Sequence, residues 1–304
     1  MERRDAIGQK LDELFQLDAF PADPAFSRFI PMVYNPISFD WKSAFTEEFV
    51  KKFNGFMLKG SETVHNVFLA VFPTEEVLQR FIDEASEGDL LFMHHPLVME
   101  YGDPRGEWGR GVLPIPVPYI EELKKRKLSV YTCHIPMDYH EEYGTNIAIV
   151  KGLNGRITER FVTDEYGSAG VICEIDRTPL PDLIEQLKAL FDIPYVDVEG
   201  KDIEYAERLA VVAGCGDKVA LLEEAERLGA QVYISGQIHS HIDNEYGRYR
   251  YDLIQDYIEM TGMKLIGVSH AASEYLVKRT LMSDWFRQHF NVNVVLLPQK
   301  KWWL

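Results

Sequence analysis

Short apolar runs that alternate with amphipathic stretches of helical spacing predict an α/β protein with mostly parallel, mixed sheets. Two further observations agree. The chain has 304 residues, which at roughly 150 residues per domain predicts two domains with room for a sizeable core. Hydrophobic residues make up 46% and charged residues 26%, a globular balance far from that of a disordered chain.

The elements follow in order. Ile7, Leu11, Leu14 and Phe15 share one face of a helix over residues 5–16. Phe20 to Pro36 holds Pro21, Pro24, Pro31 and Pro36 among scattered aromatics, so irregular packing is expected there. Val67 to Phe72 suits a buried strand, and Thr74 with Glu75 and Glu76 caps a helix carrying Val77, Phe81, Ile82 and Ala85. A strand over Asp89 to Met93 runs into His94-His95-Pro96. The Gly- and Pro-rich stretch from Tyr101 to Pro118 is long enough for a functional loop. A helix near 119–127 precedes the strand Leu128 to Thr132, which ends at Cys133-His134-Ile135-Pro136-Met137-Asp138, and residues 143–150 open another helix. Strands follow near 169–175, 195–198, 209–213, 231–235, 264–268 and 292–297. Helices fall near 181–190, 217–228, 249–261 and from about 271.

Charge and cysteines narrow the function classes. With 48 acidic and 32 basic residues the formal charge is −16, which disfavours a long electrostatic footprint on nucleic acid. Cys133, Cys173 and Cys215 show no C-x-x-C spacing, so neither a disulfide framework nor a thiolate zinc site is indicated, and a reducing, cytoplasmic home is expected. No apolar run approaches the roughly 20 residues of a membrane span, and no secretory h-region is seen.

Histidines and carboxylates gather at strand ends. His94 and His95 close one strand, His134 and Asp138 a second, and His270 with Glu274 a third. Open α/β sheets bind ligands outside the carboxyl ends of their strands. His270 and Glu274 lie four apart at a helix start and so face one site. His94 and His95, adjacent on a strand, point to opposite sides, so each is expected to serve a different ion. Taken singly, an H-H-P sequence is usually a loop and an i, i+4 His–Glu pair usually a helix-surface contact. Three strand ends together favour a metal site, for which imidazole and carboxylate suit zinc, manganese, iron or nickel.

These segments, together with Gly144-Thr145-Asn146-Ile147-Ala148, Val211-Val212-Ala213-Gly214-Cys215-Gly216, Ser235-Gly236-Gln237 and His241, resemble the NIF-three-like dinuclear metal-centre family, the GTP cyclohydrolase type 2 homologues. The resemblance runs over most of the chain. It implies two divalent ions held by His94, His95, Asp138, His270 and Glu274, with Glu274 shared. It further implies two similar α/β domains with the site in the cleft between them, and a ring-like homo-oligomer, commonly a hexamer. The metal-binding domain is expected over 1–150 plus about 263–304, and the second over about 151–262. Departures occur at Phe53-Asn54-Gly55-Phe56-Met57-Leu58, where the family's Trp-Asp-Asn-x-Gly-Leu is eroded, and at Phe72 and Gln237, where acids are usual.

Lesser candidates complete the set. His134 is read as a hydrogen-bonding neighbour of the metals or a packed core residue, and His241 as a proton donor or acceptor. His239 is read as a surface residue. Arg105 and Arg110, in the long loop beside Trp108, are candidate clamps for an anionic substrate, against the blander reading of a solvated loop. Gly214-Cys215-Gly216 is read as a tight turn rather than a phosphate cradle, because Val219 stands where the dinucleotide fingerprint has its third glycine. The expected function is a metal-dependent hydrolase acting on a small nucleotide or phosphate-bearing substrate through a metal-activated water. The alternative is a non-catalytic protein that stores or delivers metal or scaffolds an assembly.

Overall fold

The computed structural model describes residues 1–101, 108–109 and 111–301. Along the chain the strands of the two larger sheets are β1 (Gly55–Leu58), β2 (Asn66–Leu69), β3 (Leu90–Met93), β4 (Ser129–Thr132), β5 (Arg156–Thr163), β6 (Ser168–Pro179), β7 (Asp197–Gly200), β8 (Tyr205–Val212), β9 (Val232–Ser235), β10 (Lys264–Gly267) and β11 (Asn293–Leu296). The helices that matter for function are α1 (Arg4–Leu14), α2 (Glu75–Glu84), α3 (Thr145–Gly152), α4 (Val219–Arg227), α5 (Glu245–Ile258) and α6 (His270–Val277). The chain divides into two compact units. One comprises Met1–Glu100, Val112–Met137 and Lys278–Lys300, and the other the described residues of Tyr101–Gly111, Asp138–Val277 and Lys301.

The first unit is built on a five-stranded sheet in the order β11-β2-β3-β4-β1. The first four strands are parallel and β1 runs antiparallel to β4. Leu90, Leu91, Phe92 and Met93 are all fully buried, the continuous apolar pattern of a strand covered on both faces. Each such side chain contributes about 1.5–3 kcal/mol by leaving water. Thr74 Oγ1 accepts from the Val77 N–H and caps α2, as the sequence predicts. The proline-rich segment departs from expectation: Phe26–Tyr34 is helical with Pro31 inside it. Loss of one N–H there is offset by burial of Phe26, Ile30, Val33 and Tyr34.

The second unit carries a six-stranded sheet in the order β7-β10-β9-β8-β6-β5. Its centre, β8-β9-β10, is parallel, and β7, β6 and β5 are added antiparallel. Strand β5 is absent from the sequence reading because five of its eight residues are polar and it lies on a sheet edge. The core joins Ile172, Ala210, Tyr233 and Leu265 of the strands to Leu221, Leu222 and Ala225 of α4 and Ile254 and Tyr257 of α5. Both larger sheets are mixed, so the α/β class holds. Among the described residues no helix is long and apolar enough to cross a membrane.

Candidate metal centre

In the first unit the donors stand where two parallel strands end. Strand β3 stops at Met93, and β4 stops one residue before Cys133. His94 Nδ1 lies 2.8 Å from the Cys133 carbonyl oxygen. A carbonyl only accepts, so Nδ1 carries the hydrogen and the lone pair sits on Nε2, the arrangement usual in metal-ligating histidines. His134 is prepared the same way by a carboxylate, with Nδ1 2.7 Å from Asp23 Oδ2. Its backbone N–H donates to Asn54 Oδ1 at 2.8 Å. Asp23 is itself fixed by the N–H groups of Ala25 and Phe26. Burial raises its carboxyl, but His134 and these hydrogen bonds outweigh that and hold it below the ordinary value.

One ligand atom from each of His94, His95 and His134 lies within 4.8 Å of the other two. Adjacent residues within a strand would point apart, but these two do not. The strand has ended before His94, so pleat alternation no longer applies and the two rings approach to 5.1 Å between centroids. Phe72 lies over His95, with centroids 4.2 Å apart, and Phe26 packs against both His95 and His134. Phe72 therefore walls the donor cluster.

In the second unit the donors again follow parallel strands. Strand β10 ends at Gly267, and Ser269 adopts a left-handed φ of 88°, a conformation costing about 1–3 kcal/mol for a residue with a side chain. Ser269 Oγ accepts from the Ala272 N–H, closing the first turn of α6. One turn apart on that helix, His270 Nε2 lies 2.9 Å from Glu274 Oε1. A carboxylate oxygen of Asp138 lies within 4.8 Å of one of Glu274. Asp138 Oδ1 accepts from Thr145 Oγ1 at the start of α3, and Asn146 beside it accepts from the Ala213 N–H in the turn after β8.

That turn is shaped around the donors. Gly214 has φ 68°, and a Cβ there would sit 2.3 Å from Glu274 Oε1 and 3.2 Å from His270 Nε2. The Gly214 N–H donates to Ser273 Oγ, which in turn donates to the His270 carbonyl. Glycine thus keeps open the space beside two donor atoms, while Ser273 fixes the turn to the helix. Two carboxylates this close repel when ionised, and a cation relieves that repulsion. Burial alone would depress the His270 imidazole, yet the Cys215 thiol and the Glu274 carboxylate raise it well above its ordinary value. A proton held there competes with a metal ion, so binding an ion would release it. These imidazole and carboxylate groups can hold metal.

The remaining candidates are His239, His241, Arg105 and Arg110. His241 is 6% exposed and packs edge-on to Trp108 and beside Tyr251. His239, expected at the surface, is 7% exposed, and its Nε2 lies 3.1 Å from Glu199 Oε1. The carboxylate that the His239 imidazole faces comes from the distant strand β7, which carries Glu199, and no local sequence signal reveals it. Arg105 and Arg110 lie outside the described residues.

Similarity to known proteins gives the family. Residues 51–301 match the family model for Duf34/NIF3 (NGG1p interacting factor 3). The chain belongs to the DUF34/NIF3 family. A curated relative, "GTP cyclohydrolase 1 type 2 homolog" of Pyrococcus abyssi, is 28% identical over 251 residues, covering 81% of this chain and 89% of the relative. The protein of the same name from Deinococcus radiodurans is 26% identical over 201 residues, covering 64% and 71%. Among solved structures, protein ybgI, described as of unknown function, superimposes with TM-score 0.68 at 17% identity, covering 99% of this chain and 100% of that one. TTHA1606 from Thermus thermophilus gives TM-score 0.66 at 18% identity with 99% of both chains covered. At such identities the structures speak for the DUF34/NIF3 fold alone.

Proposed function

We propose that this DUF34/NIF3 protein is a metal-dependent hydrolase in which His94, His95, Asp138, His270 and Glu274 together hold two divalent ions. The observation that carries this reading is the pair of donor clusters, each at the ends of parallel strands and each with its donors held by neighbours. Glu274 is the shared ligand, because it neighbours both His270 and Asp138. When bound, a pair of ions activates water and stabilises charge on the attacking and leaving oxygens. The chain's own groups do the rest. Cys133 orients the His94 imidazole, Thr145 orients Asp138, and the rings of Phe26 and Phe72 wall His95.

The substrate class we propose is a small anionic nucleotide or phosphoester. A protein of charge −16 attracts such a molecule only through a local positive centre, which two divalent ions would supply. The name of the curated relatives makes GTP the first compound to test.

The test has two parts. Elemental analysis of purified protein should find two ions per chain, near none in Glu274→Gln and about one in His94→Ala. Full occupancy in both variants would overturn the ligand set. Metal-replete protein is then assayed with GTP and with bis(p-nitrophenyl) phosphate. Hydrolysis that disappears in Glu274→Gln ties the activity to the site, whereas metal binding without turnover of either favours storage or scaffolding.

A further inference from the structure

Cys215 differs from the other two cysteines. Cys133 and Cys173 are fully buried, while Cys215 is exposed on the turn that follows β8. Its sulfur lies 3.5 Å from His270 Nδ1 and 3.6 Å from Gln237 Nε2. The turn cannot drift from the helix, because Ser273 bonds the Gly214 N–H on one side and the His270 carbonyl on the other.

The two edges of the His270 ring therefore meet different chemistry. Nε2 faces Glu274 Oε1 beside the space that Gly214 leaves open, and Nδ1 faces sulfur. An imidazole that gives its Nε2 lone pair to an ion carries its hydrogen on Nδ1 and needs an acceptor there, usually a carboxylate or carbonyl. We propose that Cys215 is the positioning residue for His270, its sulfur accepting from Nδ1–H so that Nε2 is presented to metal, with the Gln237 amide donating to the same sulfur. The inference rests on His270 being a metal ligand. It also gives a role to Gln237, whose amide offers the sulfur an N–H.

The experiment uses the full chain stripped of metal and titrated with zinc in competition with a chromophoric chelator. Cys215→Ala should weaken one of the two ions by about 10–100-fold, the usual effect of removing an outer-shell partner. Cys215→Ser, whose hydroxyl also accepts, should recover most of that loss. Nitrogen-15 spectra of the zinc-loaded protein should show His270 protonated on Nδ1 in the parent and the Ser variant, with its ring signals broadened or shifted in the Ala variant. Unchanged affinity in Cys215→Ala would overturn the proposal. So would an intense sulfur-to-metal charge-transfer band in the cobalt-loaded parent, which would make Cys215 a direct ligand. His270→Ala separates the two ideas. If it binds both ions like the parent, the ligand assignment fails and this inference with it. If it loses an ion while Cys215→Ala does not, only the role of Cys215 fails.

Discussion

At Gly214 a hydrogen stands where any other residue would press a methyl group against Glu274 and His270. Gly214→Ala places that methyl at a position with φ 68°, so the substitution combines backbone strain with a collision at donor atoms. It should cost on the order of 1–2 kcal/mol of stability and reduce metal content. Urea denaturation of the metal-free variant checks the first effect, and elemental analysis the second. A variant as stable and as metal-rich as the parent would show that the turn has room to spare. At this scale the proposed donors can be picked from the sequence, but not what holds them. His94, His95, Asp138, His270 and Glu274 are legible because they fall just after apolar runs. Asp23 is not, because it lies 111 residues from His134 in a segment whose prolines mask its helix. His239 reads as polar loop for the same reason, since Glu199 and Tyr251, which bury it, come from other elements.

The elements carry their own pH signature. Glu226, near the end of α4, accepts from the Gly262 N–H, from Thr261 Oγ1 and from Tyr257 Oη, and so ties that helix to the end of α5 and the approach to β10. Burial pushes its carboxyl up, but the Tyr257, Gly262 and Thr261 hydrogen bonds together outweigh burial and hold it below the ordinary value. A carboxyl lowered by folding stabilises the fold above its unfolded-state value, and that share is lost as pH falls through the folded value. Glu226→Gln should therefore be less stable than the parent near neutrality, with the gap in Tm closing between about pH 5 and 3. A gap that stays constant through that window would refute the linkage. Most elements are legible from periodicity because covered strands are continuously apolar and helices repeat at their own spacing. Two of the elements missed break those rules locally. Helix Phe26–Tyr34 contains Pro31, and edge strand β5 is too polar to stand out.

For the molecule as a whole, folding sorts the three thiols. Burial pushes the Cys173 thiol up to about 12, and Cys133 is equally enclosed, leaving Cys215 as the exposed one. A thiol reagent at neutral pH should modify one cysteine in the native protein and three after denaturation. Rapid modification of more than one under native conditions would contradict the packing around β4 and β6. The sequence by itself determined the α/β class, the order of most elements and the residue types at the ends of the strands. Those follow from the spacing of apolar side chains along the chain, a local property. Only the tertiary structure decided that the adjacent His94 and His95 converge, that Asp23 and Cys133 orient imidazoles, that Phe72 walls His95 and that Gly214 leaves space beside Glu274. All but the first depend on segments far apart in sequence meeting at one place, and packing, not periodicity, sets which segments meet.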